Sequence, residues 1–62
     1  MECDVTLDVT FDTYNEAKEE CTYNPLCKGI QQLYCSYNFY LCYVGSKMID
    51  DNSNCYYERI GN

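Results

Sequence analysis

Six cysteines in a chain of 62 residues constrain the fold more than any other feature of this sequence. An even number of cysteines in so short a chain predicts three disulfide bonds, and disulfides persist in oxidising compartments. A core of this size contributes only about 3–5 kcal/mol of stability, so crosslinks would decide whether the domain stays folded. We therefore expect one small cysteine-rich domain over residues 1–62, located outside the cell.

Metal binding is the competing interpretation of the cysteines and of the acidic run 50–54 (DDNSN). The chain has no C-x2-C knuckle and no histidine, which disfavours structural zinc. Calcium is disfavoured because Cys55 and Gly61 stand where an EF-hand loop needs glycine and glutamate. We expect a solvated turn at 50–54 and neither a metal nor another cofactor.

Charge and composition exclude several function classes. Ten acidic and four basic residues give a net charge of −6, which disfavours nucleic acid as a partner. Without histidine the chain has no Ser/His/Asp or Cys/His pair, so we expect no enzyme. No segment approaches the ~20 apolar residues of a membrane span, so we expect no membrane insertion.

The hydrophobic pattern predicts an α+β domain. Residues 5–11 alternate between apolar and polar, as a half-buried strand does. Thr13 and Glu16 form a capping box for a helix over residues 14–23, whose inward stripe is Tyr14, Ala17 and Cys21. Further strands are predicted at 27–34, 39–44, 47–49 and 55–60. The fold class is therefore one short helix packed on a small antiparallel sheet, stapled by disulfides.

The segment that leaves the helix, CTYNPLC at residues 21–27, resembles the PAN/apple superfamily. Apple domains carry a helix that ends in cysteine, a Thr-Tyr-x-Pro-x-Cys step and then a strand. The positions of Cys3, Cys42 and Cys55 follow the same order along nearly the whole chain.

The resemblance implies two of the three disulfides, Cys3–Cys55 between the terminal strands and Cys21–Cys27 at the helix exit. The family's third bridge joins the helix, one turn before Cys21, to the central strand. Here Ala17 occupies the position of the helical cysteine, and Cys35 is a cysteine that the family pattern lacks. We therefore expect the remaining Cys42 to pair with Cys35 across a short turn. The alternative set joins Cys21 to Cys42 and Cys27 to Cys35.

Eight tyrosines suggest how such a domain would act. We expect the sheet face opposite the helix to meet water and to present Tyr43 and Tyr57, with Tyr37 at the preceding turn, as the ligand-binding residues. PAN/apple domains mediate adhesion, so the resemblance implies a secreted, noncatalytic recognition module that binds an extracellular protein or glycan. The alternative is a free-standing secreted effector such as a toxin, a protease inhibitor or a peptide signal.

Overall fold

One α-helix packs on a four-stranded antiparallel sheet, and a separate two-stranded ribbon accompanies them. The computed structural model describes residues 2–50 and 53–59. The predicted α+β class, stapled by three disulfides, is confirmed. In chain order the elements are β1 (Glu2–Cys3), β2 (Thr6–Phe11), α1 (Tyr14–Tyr23), β3 (Cys27–Gln32), a 3₁₀ turn (Leu33–Cys35), β4 (Phe39–Tyr43), β5 (Met48–Ile49) and β6 (Cys55–Glu58).

Local sequence signals fix both ends of α1. The Thr13 hydroxyl accepts a hydrogen bond from the backbone N–H of Glu16 at 3.3 Å, as the capping box predicts. At the other end, the Asn24 side chain accepts from the N–H of Leu26 at 2.9 Å and starts the turn that leads into β3. Pro25 disfavours helical backbone at Asn24, so the helix ends at Tyr23. The predicted span of residues 14–23 is confirmed.

The main core lies between α1 and the sheet, whose strand order is β2-β4-β3-β6. Ala17 and Cys21 are the buried residues of the helix, and they pack on the sheet side chains Ile30 and Leu41. Tyr14, the third member of the predicted stripe, is 37% exposed and packs edge-on against other rings. The core is therefore formed mainly by small and branched side chains together with Phe39, and Tyr14 lies at its margin.

The sheet face opposite the helix is partly covered by the two-stranded ribbon, which corrects the expectation that it meets water. Since Leu41 faces the helix, its neighbour Cys42 points to the opposite face. There Cys42 is bonded to Cys3 of β1, and β1 pairs with β5 to form the ribbon. The backbone N–H of Cys3 donates to Oε1 of the buried Gln31 at 2.8 Å. The ribbon thus shields part of this face and satisfies a buried amide.

All six cysteines form disulfides, which are Cys3–Cys42, Cys21–Cys27 and Cys35–Cys55. The predicted bridge at the helix exit is confirmed. The predicted bridges Cys3–Cys55 and Cys35–Cys42 are wrong, because these four cysteines exchange partners. The alternative set is also wrong, because Cys21 is bonded to Cys27.

Strand order explains the exchange. Cys55 lies in β6 opposite Gln32, at the end of β3 that leads into the 3₁₀ turn, so it lies close to Cys35. Cys42 lies three residues along β4 from Phe39, about 10 Å from that turn at the usual strand rise. The hairpin therefore cannot bring Cys35 to Cys42, and Cys42 meets the ribbon instead.

Candidate functional site

The three tyrosines predicted to bind a ligand do not share a face. Tyr57 lies on the helix side of the sheet, where its ring packs against Tyr14 with centroids 5.1 Å apart, so its predicted place opposite the helix is wrong. Tyr43 alternates in register with Leu41 and therefore also faces the helix side. Both rings are only partly exposed, whereas Tyr37 is 61% exposed.

Tyr37 belongs to a short loop with a second exposed ring, Tyr34, which is 60% exposed. The two ring centroids lie 5.9 Å apart and the ring planes are 79° from parallel. We call residues 33–38 the tyrosine loop. The sequence predicts a strand over residues 27–34, so Tyr34 is not among the predicted site residues. In the structure β3 ends at Gln32, and Tyr34 lies in the loop that follows.

The backbone of the tyrosine loop is held in an unfavourable conformation. Tyr34 has φ 52° and Cys35 has φ 58°, and they are the non-glycine residues with positive φ in the described part of the chain. Left-handed backbone at a bulky residue costs roughly 1–2 kcal/mol, so surrounding contacts must hold it. The Cys35–Cys55 disulfide fixes one side of the loop.

Asn54 fixes the other side of the tyrosine loop. Its side-chain oxygen accepts a hydrogen bond from the backbone N–H of Tyr34 at 2.8 Å, and the residue is 6% exposed. The expectation of a solvated turn is therefore wrong at Asn54, while residues 51 and 52 lie outside the described residues. Inside the loop, the N–H of Tyr37 donates to the carbonyl of Leu33 at 3.0 Å. The two exposed rings are thus carried on a tightly fixed backbone.

A shallow cleft of about 310 Å³ lies between α1 and β6. Cys21 and Ile30 line it together with the charged residues Lys18, Glu58 and Arg59. The Arg59 guanidinium donates to the carbonyl oxygens of Thr22, Asn24 and Cys27 at 3.0–3.1 Å. The last turn of α1 has no basic residue of its own, so Arg59 provides the positive charge that stabilises the C-terminal end of the helix. This part of the cleft therefore has a structural role.

The basic residues are unevenly distributed between the two ends of the sheet. At the end where β3 begins, Arg59 binds the helix exit and the Lys28 ammonium donates to the carbonyl of Ser46. Lys47 lies at the same end, where its backbone is hydrogen-bonded to Asp4. At the tyrosine-loop end, Asp12 accepts a hydrogen bond from the Asn38 side chain at 3.4 Å. The tyrosine loop therefore has an acidic neighbour at Asn38, and three of the four basic residues lie at the far end.

No family model matches the sequence, and no match is found among curated proteins or solved structures. The resemblance to the PAN/apple superfamily accordingly stays an expectation. Across residues 2–50 and 53–59, no group of three or more Cys, Asp or Glu side chains is arranged to hold a metal ion. Nor is any helix within those ranges long and apolar enough to cross a membrane.

Proposed function

We propose that the protein is a secreted, noncatalytic recognition module that binds an extracellular protein or glycan through the tyrosine loop. One observation carries the proposal: Tyr34 and Tyr37 are both about 60% exposed on a loop whose backbone is strained. Strained backbone persists where the surrounding structure enforces it, and such positions concentrate at functional sites.

The chemistry of the two rings suits recognition. Tyrosine offers a large rigid contact surface with a polar tip, and fixing it costs little entropy because it has two side-chain torsions. The loop backbone is fixed by Asn54 and by the Cys35–Cys55 disulfide, so a ligand would meet a preorganised surface. The three disulfides agree with an extracellular location.

A binding screen with matched tyrosine variants tests the proposal. The probes are a printed array of oligosaccharides and a set of purified extracellular matrix proteins, collagens included. We expect saturable binding to at least one probe, and Tyr34→Ala and Tyr37→Ala each weaken it at least tenfold, about 1.4 kcal/mol. Tyr23→Ala is the control, because Tyr23 is 79% exposed at the far end of α1.

The screen also tests the predicted ligand contacts of Tyr43 and Tyr57, whose alanine variants are measured beside the others. Each variant is first checked for complete disulfide formation and for the circular dichroism of the parent. Equal losses for Tyr23→Ala and the loop variants would contradict the assignment of the loop. Absence of saturable binding to every probe of this screen and to a cationic peptide would contradict the recognition function.

A further inference from the structure

We infer that the tyrosine loop binds a cationic side chain, a lysine or arginine presented by a basic protein partner. The inference rests on the proposed function and narrows it from a protein or glycan to one chemical class. It is carried by the geometry of the ring pair together with the distribution of charge around it.

The ring pair forms a corner. Because the planes of Tyr34 and Tyr37 are 79° apart with centroids at 5.9 Å, a face of each ring borders the same angle. The face of an aromatic ring carries the negative part of its quadrupole, so two faces at a right angle attract a cation between them.

The surrounding charges favour the same ligand. Asp12 is tied to Asn38, the residue next to Tyr37, and brings a carboxylate to the loop. Lys28 would repel a cationic ligand, but it lies four residues along β3 from Gln32. At the usual strand rise this places it about 13 Å from the start of the loop. The protein carries a net charge of −6, which speeds encounter with basic partners and repels acidic ones.

The test uses a pair of synthetic peptides and isothermal titration calorimetry. One peptide carries four arginines spaced by Gly-Ser, and the other carries glutamine at the same positions. We expect the arginine peptide to bind and the glutamine peptide not to bind. Tyr34→Leu and Tyr37→Leu each weaken binding about two- to fivefold, and the double variant at least fivefold, because they remove ring faces. Tyr34→Phe and Tyr37→Phe keep those faces and stay within about twofold of the parent.

Matched controls separate the corner from the general negative charge. Tyr23→Leu removes an exposed ring elsewhere and is expected to bind as the parent does. Asp12→Asn is expected to weaken binding more than Glu19→Gln, which removes the same charge from the exposed face of α1. The comparison of Asp12→Asn with Glu19→Gln leaves both rings in place, so it keeps the test decisive if a leucine variant fails to fold: equal losses would contradict the inference.

Three results would overturn the inference in different ways. If the arginine peptide bound the double leucine variant as tightly as the parent, the corner would not be its site. If a neutral oligosaccharide or protein bound the parent and lost affinity in Tyr34→Ala, while the arginine peptide did not bind, the recognition function would stand without the cation site. Absence of binding to every probe in both assays would overturn the two proposals together.

Discussion

At the scale of single residues, Gly29 shows how closely the back of the sheet is packed. The ring of Tyr56 crosses the strand at this position, and a Cβ built on Gly29 would lie 2.5 Å from its Cζ atom. Burial, and secondarily the neighbouring Glu58, raise the pKa of the Tyr56 phenol. The neutral phenol thus stays packed against β3, and its hydroxyl lies 3.4 Å from the carbonyl of Lys28. Glycine is required here for space.

Gly29→Ala is therefore expected to destabilise the domain by about 1–3 kcal/mol, since the partly buried Tyr56 ring must move. Gly45→Ala is the matched control. Its Cβ would meet the ring of Tyr43 at 2.5 Å, but that ring is 37% exposed and can rotate into solvent. Urea denaturation measures both free energies of unfolding. An equal or larger loss for Gly45→Ala would contradict this account of Gly29.

At the scale of elements, α1 is determined by residues close to it in sequence, whereas the tyrosine loop is determined by residues distant in sequence. Thr13, Glu16 and Asn24-Pro25 predict α1 correctly because each acts within a few residues of itself. The tyrosine loop depends on distant groups, since Cys55 and Asn54 hold it from about twenty residues away. Sequence therefore predicted Tyr37 as an exposed turn residue but extended the preceding strand through Tyr34.

The strained element yields a prediction in which stability and binding move in opposite directions. Glycine adopts φ near 52° without steric cost, so Tyr34→Gly is expected to stabilise the fold by about 0.5–1 kcal/mol or to leave it unchanged. The same change removes one ring of the pair and is expected to weaken ligand binding at least tenfold. Thermal unfolding and the binding screen measure the two effects. Clear destabilisation by Tyr34→Gly would show that the ring serves the core.

At the scale of the whole molecule, the three disulfides tie different layers together. Cys21–Cys27 closes the helix exit, Cys35–Cys55 holds the tyrosine loop and Cys3–Cys42 fastens the ribbon to the back of the sheet. The cysteine count predicted three bridges, and the sequence motif predicted the local one. The other partners follow from strand order, which places Cys42 behind the sheet and Cys55 beside the loop. Spacing along the chain does not encode that order.

Paired cysteine variants test this connectivity. Cys3→Ser with Cys42→Ser removes the bridge with a sequence separation of 39 and is expected to cost about 2–5 kcal/mol of stability. The four remaining cysteines should still pair completely, and ligand binding by the tyrosine loop should persist. Cys3→Ser with Cys55→Ser breaks two bridges and leaves Cys35 and Cys42 at separate positions, so thiol titration of the denatured protein should find two free thiols. Complete oxidation of that second variant would show instead that Cys35 reaches Cys42, and the strand order that separates them would be wrong.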